Sequence, residues 1–260
     1  MRAFWQFVSI ITIGLILITV YSFVNYELKL GDVSLKKAGI KKYLFFSDSI
    51  ESPEVQNFAF LEKDEPSDSI VVDTTAQHVL LIGDSMLEGL MLRFRDYAES
   101  NGHTMKTVIW YSSQSMWYGS CDTLAHFIKK EKPTFVILSI GSNELFIKDI
   151  KNARRKYVKR IVAQMDTIPF IWVGPPNWKD DTGINDLIVE HVGLGRYFES
   201  KKLTYKRGRD GAHPTRESAV VWMDSIAAWM RTDCSYRINM EVPPTRSKMS
   251  ANTTLLQPLK

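Results

Sequence analysis

Four side chains of this sequence have the types and the order that nucleophilic acyl transfer needs: Ser85, Asn143, Asp210 and His213. Ser85 lies where an apolar run, HVLLIG, meets Asp84-Ser85 and a helical pattern begins at once. A serine hydroxyl is a poor nucleophile near neutral pH and needs an adjacent base. His213 is the best candidate for that base, since a free imidazole titrates close to neutrality. Asp210, earlier in the same RDGAHPT segment, can accept a hydrogen bond from the other ring nitrogen and hold the tautomer, which is the logic of a Ser–His–Asp triad. The tetrahedral intermediate then needs donors for its oxyanion. A serine at a helix start offers its own backbone N–H and the positive end of the helix dipole, and the side-chain amide of Asn143, in GSNE, offers another.

Each block also has a plain structural explanation. GDS can be a capped helix start, GSNE a turn in which asparagine takes left-handed geometry, and D-x-x-H an aspartate turn beside a surface histidine. Their position in the fold favours the chemical reading. Apolar runs at His78–Gly83, Thr107–Tyr111, Phe135–Ile140 and Pro169–Val173 predict strands. Helical spacing predicts helices over Met86–Ser100, Asp122–Lys130, Lys151–Met165, Asn185–Phe198 and Pro214–Met230. Continuous apolar strands separated by helices indicate an α/β fold, a three-layer sandwich with a parallel sheet covered on both faces. In such folds ligands sit beyond the carboxyl ends of the strands, which is where the Ser85 and Asn143 blocks fall.

GDSM, GSNE and DGAH, in this order and on these elements, resemble the GDSL/SGNH hydrolase superfamily over residues 78 to 232. The resemblance implies a flavodoxin-like sandwich, Ser85 as nucleophile, Asn143 as oxyanion donor, His213 as base and Asp210 as its partner. It implies no metal or organic cofactor. Two departures stand out. The family's G-x-N-D is GSNE here, with an acidic group one methylene longer. The glycine that normally follows the second strand, and whose N–H completes the oxyanion hole, has no counterpart in SSQSMWYG. Gln114 or Ser115 can present an N–H from that turn, while Gly119 comes late. Trp178, with Trp117, Tyr118 and Asn177, lies on loops at strand ends, where aromatic rings either line a carbohydrate site or pack against their own loops.

The surrounding sequence bounds the setting. A chain of 260 residues supports one core with appendages. The net charge of +4 is modest, and no basic stripe interleaved with aromatics points to nucleic acid. Cys121, Cys234 and the histidines outside the DGAH block show no metal-ligand spacing. The basic run from Lys148 to Arg160 predicts a solvated helix face. Residues 4–24 are uncharged and apolar over a length that crosses a bilayer, with no small-residue cleavage pattern at the exit, which predicts a transmembrane anchor. A stalk over 25–75, the hydrolase-like domain over 76–237 and a disordered tail over 238–260 complete the expected organisation. Lysines 29, 36, 37, 41 and 42 follow the span and, counted literally, lean toward a cytosolic body. An envelope role instead places the domain in the periplasm or outside. The expectation is a membrane-anchored serine ester hydrolase acting on an ester-bearing small molecule or an O-acylated envelope glycan, with O-acetyl the expected acyl group. An O-acyltransferase using the same site and a catalytically silent glycan-binding module are the alternatives.

Overall fold

Successive strand residues point to opposite faces, so a strand that is apolar at every position needs cover on both sides. The computed structural model, which describes residues 71–247 and 252–258 together with 5, 6, 12, 29–30 and 33–34, shows that cover. In chain order the main body runs β1 (His78–Gly83), α1 (Leu87–Ser100), β2 (Thr104–Trp110), α2 (Ser115–Ser120), α3 (Thr123–Glu131) and β3 (Phe135–Ser139). It continues through a 3-10 turn (Ser142–Glu144), α4 (Ile150–Gln164), β4 (Phe170–Val173), α5 (Ile184–Val192), β5 (Tyr197–Phe198), α6 (Arg216–Thr232) and β6 (Thr253–Leu256). The strands form one sheet in the order β5-β4-β3-β1-β2-β6, every pair parallel.

Period-two alternation sorts the strand residues into two cores. Val79, Leu81, Ile137 and Ile171 pack with Leu90 and Phe94 of α1 and Trp222 and Ile226 of α6. Leu80, Ile82, Leu138 and Trp172 pack on the other face with side chains of α2 to α5, among them Tyr118, Phe127, Val158 and Leu187. The result is the three-layer, flavodoxin-like sandwich. Its strand order reverses between β1 and β3, and the crevice at such a switch point is where ligands of these folds bind. Gly83, the last residue of β1, fixes how closely the two strands meet there. A Cβ at this position would lie 1.9 Å from the Ser139 carbonyl oxygen of β3, so only glycine fits.

Several boundaries differ from the sequence expectation. β2 begins at Thr104, because Thr104, Met105 and Lys106 already pair with β1. The helix expected over Asn185–Phe198 stops at Val192, where Gly193 takes positive φ, and Tyr197–Phe198 instead adds a strand beside β4. The tail is the larger correction. Residues 238–260 have a disordered composition, yet Thr253–Leu256 joins the sheet as edge strand β6 along β2. Trp110 Nε1 donates to the Gln257 carbonyl at 2.8 Å and Lys106 Nζ to Asn252 Oδ1 at 2.7 Å. The unpaired backbone of β2 is what makes this polar segment a strand.

The chain divides into two units, 1–65 and 66–260. In the first, Lys29–Leu30 pairs antiparallel with Val33–Ser34. The expected anchor over 4–24 and the stalk up to residue 70 lie almost wholly outside the described residues. Among the described residues no helix is long and apolar enough to cross a membrane. Cys121 and Cys234 are both free thiols and pack on opposite faces of the sheet.

Candidate active site

Ser85 is placed by the end of β1. Asp84 N–H still bonds to the Ser139 carbonyl at 2.9 Å, and α1 starts at Leu87. The serine therefore stands half-buried in the one turn between strand and helix. Its Oγ lies 2.8 Å from His213 Nε2, and His213 Nδ1 lies 2.6 Å from Asp210 Oδ2. Asp210 Oδ1 accepts from the backbone N–H groups of Ala212 (2.9 Å) and His213 (3.0 Å). The Ala212 N–H first, and then the His213 ring, hold the Asp210 carboxyl down at about 2. Near neutral pH Asp210 is therefore an acceptor only. Nδ1 must carry the imidazole hydrogen, which leaves Nε2 to accept from the Ser85 hydroxyl.

The loop bearing Asp210 and His213 is held from outside by Arg207. Its guanidinium donates to the carbonyls of Ala212 (2.6 Å), Pro176 (2.7 Å) and Asn177 (2.8 Å) and lies over the Tyr205 ring. One side chain thus ties the histidine loop to the segment after β4. The Gly208 N–H closes the loop on the His213 carbonyl at 2.8 Å.

Asp84 joins the GDS block to the GSNE block. It is fully buried. Oδ1 accepts from Met86 N–H at 3.0 Å and Oδ2 from Ser142 N–H at 3.3 Å. Burial pushes its carboxyl up to about 6 against the bonds that favour the anion.

Asn143 donates one amide hydrogen to the Ser113 carbonyl at 3.0 Å, which fixes the amide and leaves its second hydrogen. Glu144, the residue that departs from G-x-N-D, is wholly buried and organises the turn after β2. It accepts from Ser115 N–H and Ser115 Oγ, both at 2.8 Å, and from Arg154 Nε at 2.7 Å. Arg154 Nη2 reaches on to Gln114 Oε1 at 3.1 Å. Burial pushes the Glu144 carboxyl up, while Ser115 and Arg154 oppose that shift.

These contacts separate the two candidates for the remaining oxyanion donor. Ser115 is corrected: its N–H and its hydroxyl are both taken by Glu144, so neither is available to substrate. The Gln114 N–H, like that of Ser85, has no hydrogen-bond partner among the described residues. Ser112, in the same turn, holds φ at +58°, the left-handed region in which glycine is the usual residue. Gly119 lies within α2 against Tyr157 of α4, where a Cβ would meet Tyr157 atoms at 2.5 Å. It is a packing glycine, far from this role.

Trp178 is placed structurally first. Its Nε1 donates to the Ser142 carbonyl at 2.9 Å, and Lys179 Nζ lies over its ring at 4.8 Å. A groove of about 360 Å³ opens beside Ser85 and His213 and runs along α1. Asn143, Gln114 and Trp178 are not among its lining residues. Among the described residues no group of three or more His, Cys, Asp or Glu side chains could hold a metal.

Asp84, Arg154 and Arg207 escaped the sequence reading. The charge run over α4 offered the only signal for Arg154. On that helix Arg155 pairs with Glu190 and Arg160 with Asp122, whereas Arg154 turns inward.

No protein-family model matches the chain, and no curated protein is similar enough in sequence to count as a relative. Among solved structures it is similar to the esterase EstA of Pseudoalteromonas sp., at 15% identity over 60% of this chain and 99% of that one, with a TM-score of 0.43. It is also similar to a two-domain esterase, CEX, described as active on acetylated mannans, at 14% identity and a TM-score of 0.46. That match covers 65% of this chain and spans only 53% of the other. A lipolytic protein of the G-D-S-L family from Desulfitobacterium hafniense matches at 15% identity over 57% of this chain and 97% of that one, with a TM-score of 0.42. At these values the likeness assigns no chemistry to this chain, and what the site can do rests on its own geometry.

Proposed function

We propose that this chain is a serine ester hydrolase of the SGNH type, cleaving carboxylic esters through an acyl group on Ser85. The observation that carries the proposal is the continuous hydrogen-bonded series Ser85 Oγ, His213 and Asp210 at the carboxyl end of β1. Ser85 Oγ attacks the ester carbonyl while His213 Nε2 takes its proton, and ionised Asp210 stabilises the imidazolium. The oxyanion forms beside the N–H groups of Ser85 and Gln114 and the second amide hydrogen of Asn143. Each such donor contributes on the order of 2.7–4 kcal/mol to the transition state. The imidazolium returns its proton to the leaving alkoxide, releasing the alcohol. Water then loses a proton to His213 and attacks the acyl carbon, and the carboxylic acid leaves as Ser85 is restored.

The side chains of His213 and Asp210 are 41% and 52% exposed, so water reaches the relay. That openness supports hydrolysis over transfer to a sugar hydroxyl. Family habit, together with the membrane-length apolar segment at 4–24, supports an O-acetyl group on an envelope glycan as the substrate. The same segment supports a membrane-anchored chain, and an envelope substrate, rather than the charges flanking the span, supports a catalytic domain outside the cytoplasm. A reporter that is active only outside the cytoplasm, fused after residue 75, tests that placement and overturns it if silent.

Fluorophosphonate labelling of the full chain tests the chemistry. The wild type takes the label, Ser85→Ala does not, and His213→Ala takes it far more slowly. A folded wild-type chain that never labels refutes the hydrolase and leaves a binding module.

A further inference from the structure

We propose that the groove beside Ser85 binds an anionic part of the substrate, so that the ester cleaved is carried on an acidic saccharide bearing carboxylate or phosphate groups. The proposal rests on the hydrolase reading and names the substrate class for that site.

Four arginines line the groove: Arg93 and Arg95 from α1, Arg216 from the first turn of α6, and Arg246 from the segment that leads to β6. Arg93 is neutralised, bonding Asp224 at 2.7 Å and Asp96 at 3.3 Å. The other three have no carboxylate within ion-pair distance among the described residues. Arg95 Nε is in addition buried with no hydrogen-bond partner, an arrangement that leaves a desolvated donor to be satisfied by a ligand. The acidic side chains of the groove do not answer this surplus. Asp96 is taken by Arg93 and by the Ser247 N–H at 2.8 Å, and Glu88 accepts from the Tyr111 hydroxyl.

The placement is continuous with the chemistry. Ser85 and His213 line the same groove. Arg216 follows His213 closely in the chain, and Arg95 lies farther along α1, about 15 Å from Ser85 at ~1.5 Å per residue. Helical side chains lean toward the N-terminus, so Arg95 leans toward Ser85. Guanidinium forks on three separate elements suit planar or tetrahedral anions spread along a chain, bound bidentately. Met86, Leu92 and Pro214 supply apolar surface between them. An acylated acidic oligosaccharide fits this spacing, whereas a lone small ester reaches only its catalytic end.

The test compares O-acetylated oligogalacturonate with an O-acetylated neutral mannooligosaccharide as substrates of the full chain. The wild type favours the acidic substrate in kcat/KM by about tenfold or more at low salt, the scale of one or two charge-assisted hydrogen bonds. That preference collapses in high salt, where the Debye length shrinks to about 3 Å. It falls severalfold in Arg95→Gln, in Arg216→Gln and in Arg246→Gln. The last of these is an exposed position, so a folding defect there would not confuse the result. Calorimetry on Ser85→Ala with trigalacturonate, inorganic triphosphate and neutral mannotriose separates carboxylate from phosphate recognition without catalysis. Equal kcat/KM for acidic and neutral esters, with no arginine dependence, overturns the anion site and leaves the hydrolase standing. Salt-sensitive, arginine-dependent anion binding by a chain that cleaves no ester keeps the site and refutes the hydrolase.

Discussion

Arg154 and Glu144 form an ion pair, Nε to Oε1 at 2.7 Å, whose carboxylate is entirely shielded from solvent while it also holds the Ser115 backbone. The pair sets the conformation of the turn after β2, and through it the direction of the Gln114 N–H. A buried carboxylate stripped of its partner is costly, at about 3–5 kcal/mol. Arg154→Ala is therefore expected to lose that much stability near pH 8. Burial already pushes the Glu144 carboxyl up, and without Arg154 it rises further, so protonation relieves the variant as the pH falls. Urea unfolding at pH 5 and pH 8 checks this, with the larger loss at pH 8. A loss independent of pH would contradict it.

Asp84 gives the opposite kind of test. Its folded value of about 6 lies above the ordinary 3.8. Between those limits the unfolded chain releases a proton that the folded chain keeps. Stability from this group is thus fully present below pH 4, declines as the pH rises, and is level above pH 6. The decline amounts to roughly 3 kcal/mol. Asp84→Asn has no such proton, so the difference in unfolding free energy between variant and wild type moves in favour of the variant by that order between pH 4 and pH 7.

Ser112 occupies left-handed backbone at φ +58° with its side chain exposed. Ser112→Gly removes a conformational cost of about 1–2 kcal/mol, offset by ~0.5–1 kcal/mol of added unfolded-state freedom. A net gain near 0.5–1 kcal/mol in denaturant unfolding is expected, with esterase activity retained.

Asp210→Asn tests the orientation of the histidine. The asparagine can present an N–H to Nδ1, which favours the wrong tautomer. Where such an aspartate is buried the loss in kcat reaches about 10⁴-fold. Asp210 is half exposed, water can partly replace it, and a fall nearer 10²-fold is expected with KM little changed. A fall in kcat below threefold would remove Asp210 from the relay.

The fold and the relay were legible in the sequence for different reasons. Strands β1, β3 and β4 and the second half of β2 are runs of mostly apolar residues, and only a sheet covered on both faces accounts for residues such as Leu80 and Leu81 being buried side by side. Ser85, Asn143, Asp210 and His213 come from blocks whose order along the chain places them at strand ends and ahead of the last helix. Strand β6 was hidden because Thr253–Leu256 is flanked by polar residues and proline, and its partner is β2, far away in sequence. Strand β5 is two residues long and carries no period. Ser115 and Gln114 could not be separated, since which N–H faces substrate depends on a carboxylate, Glu144, whose reach is set in three dimensions. Arg154 and Arg207 look like solvated charges until the carboxylate and the carbonyls they hold are in place.

The edge of the sheet has a consequence for the chain while it is being made. β6 is carried by Thr253–Leu256, after every other strand of its sheet in chain order, so the outer edge of β2 stays open until those residues have been synthesised. Until then β2 is a docking edge for any extended segment of matching register, and a nascent or clipped chain presents it to its neighbours. The same property makes the last strand separable. A synthetic peptide spanning 252–258 should seat in trans on a chain ending at Ser247, by the mode in which extended peptides add to open sheet edges.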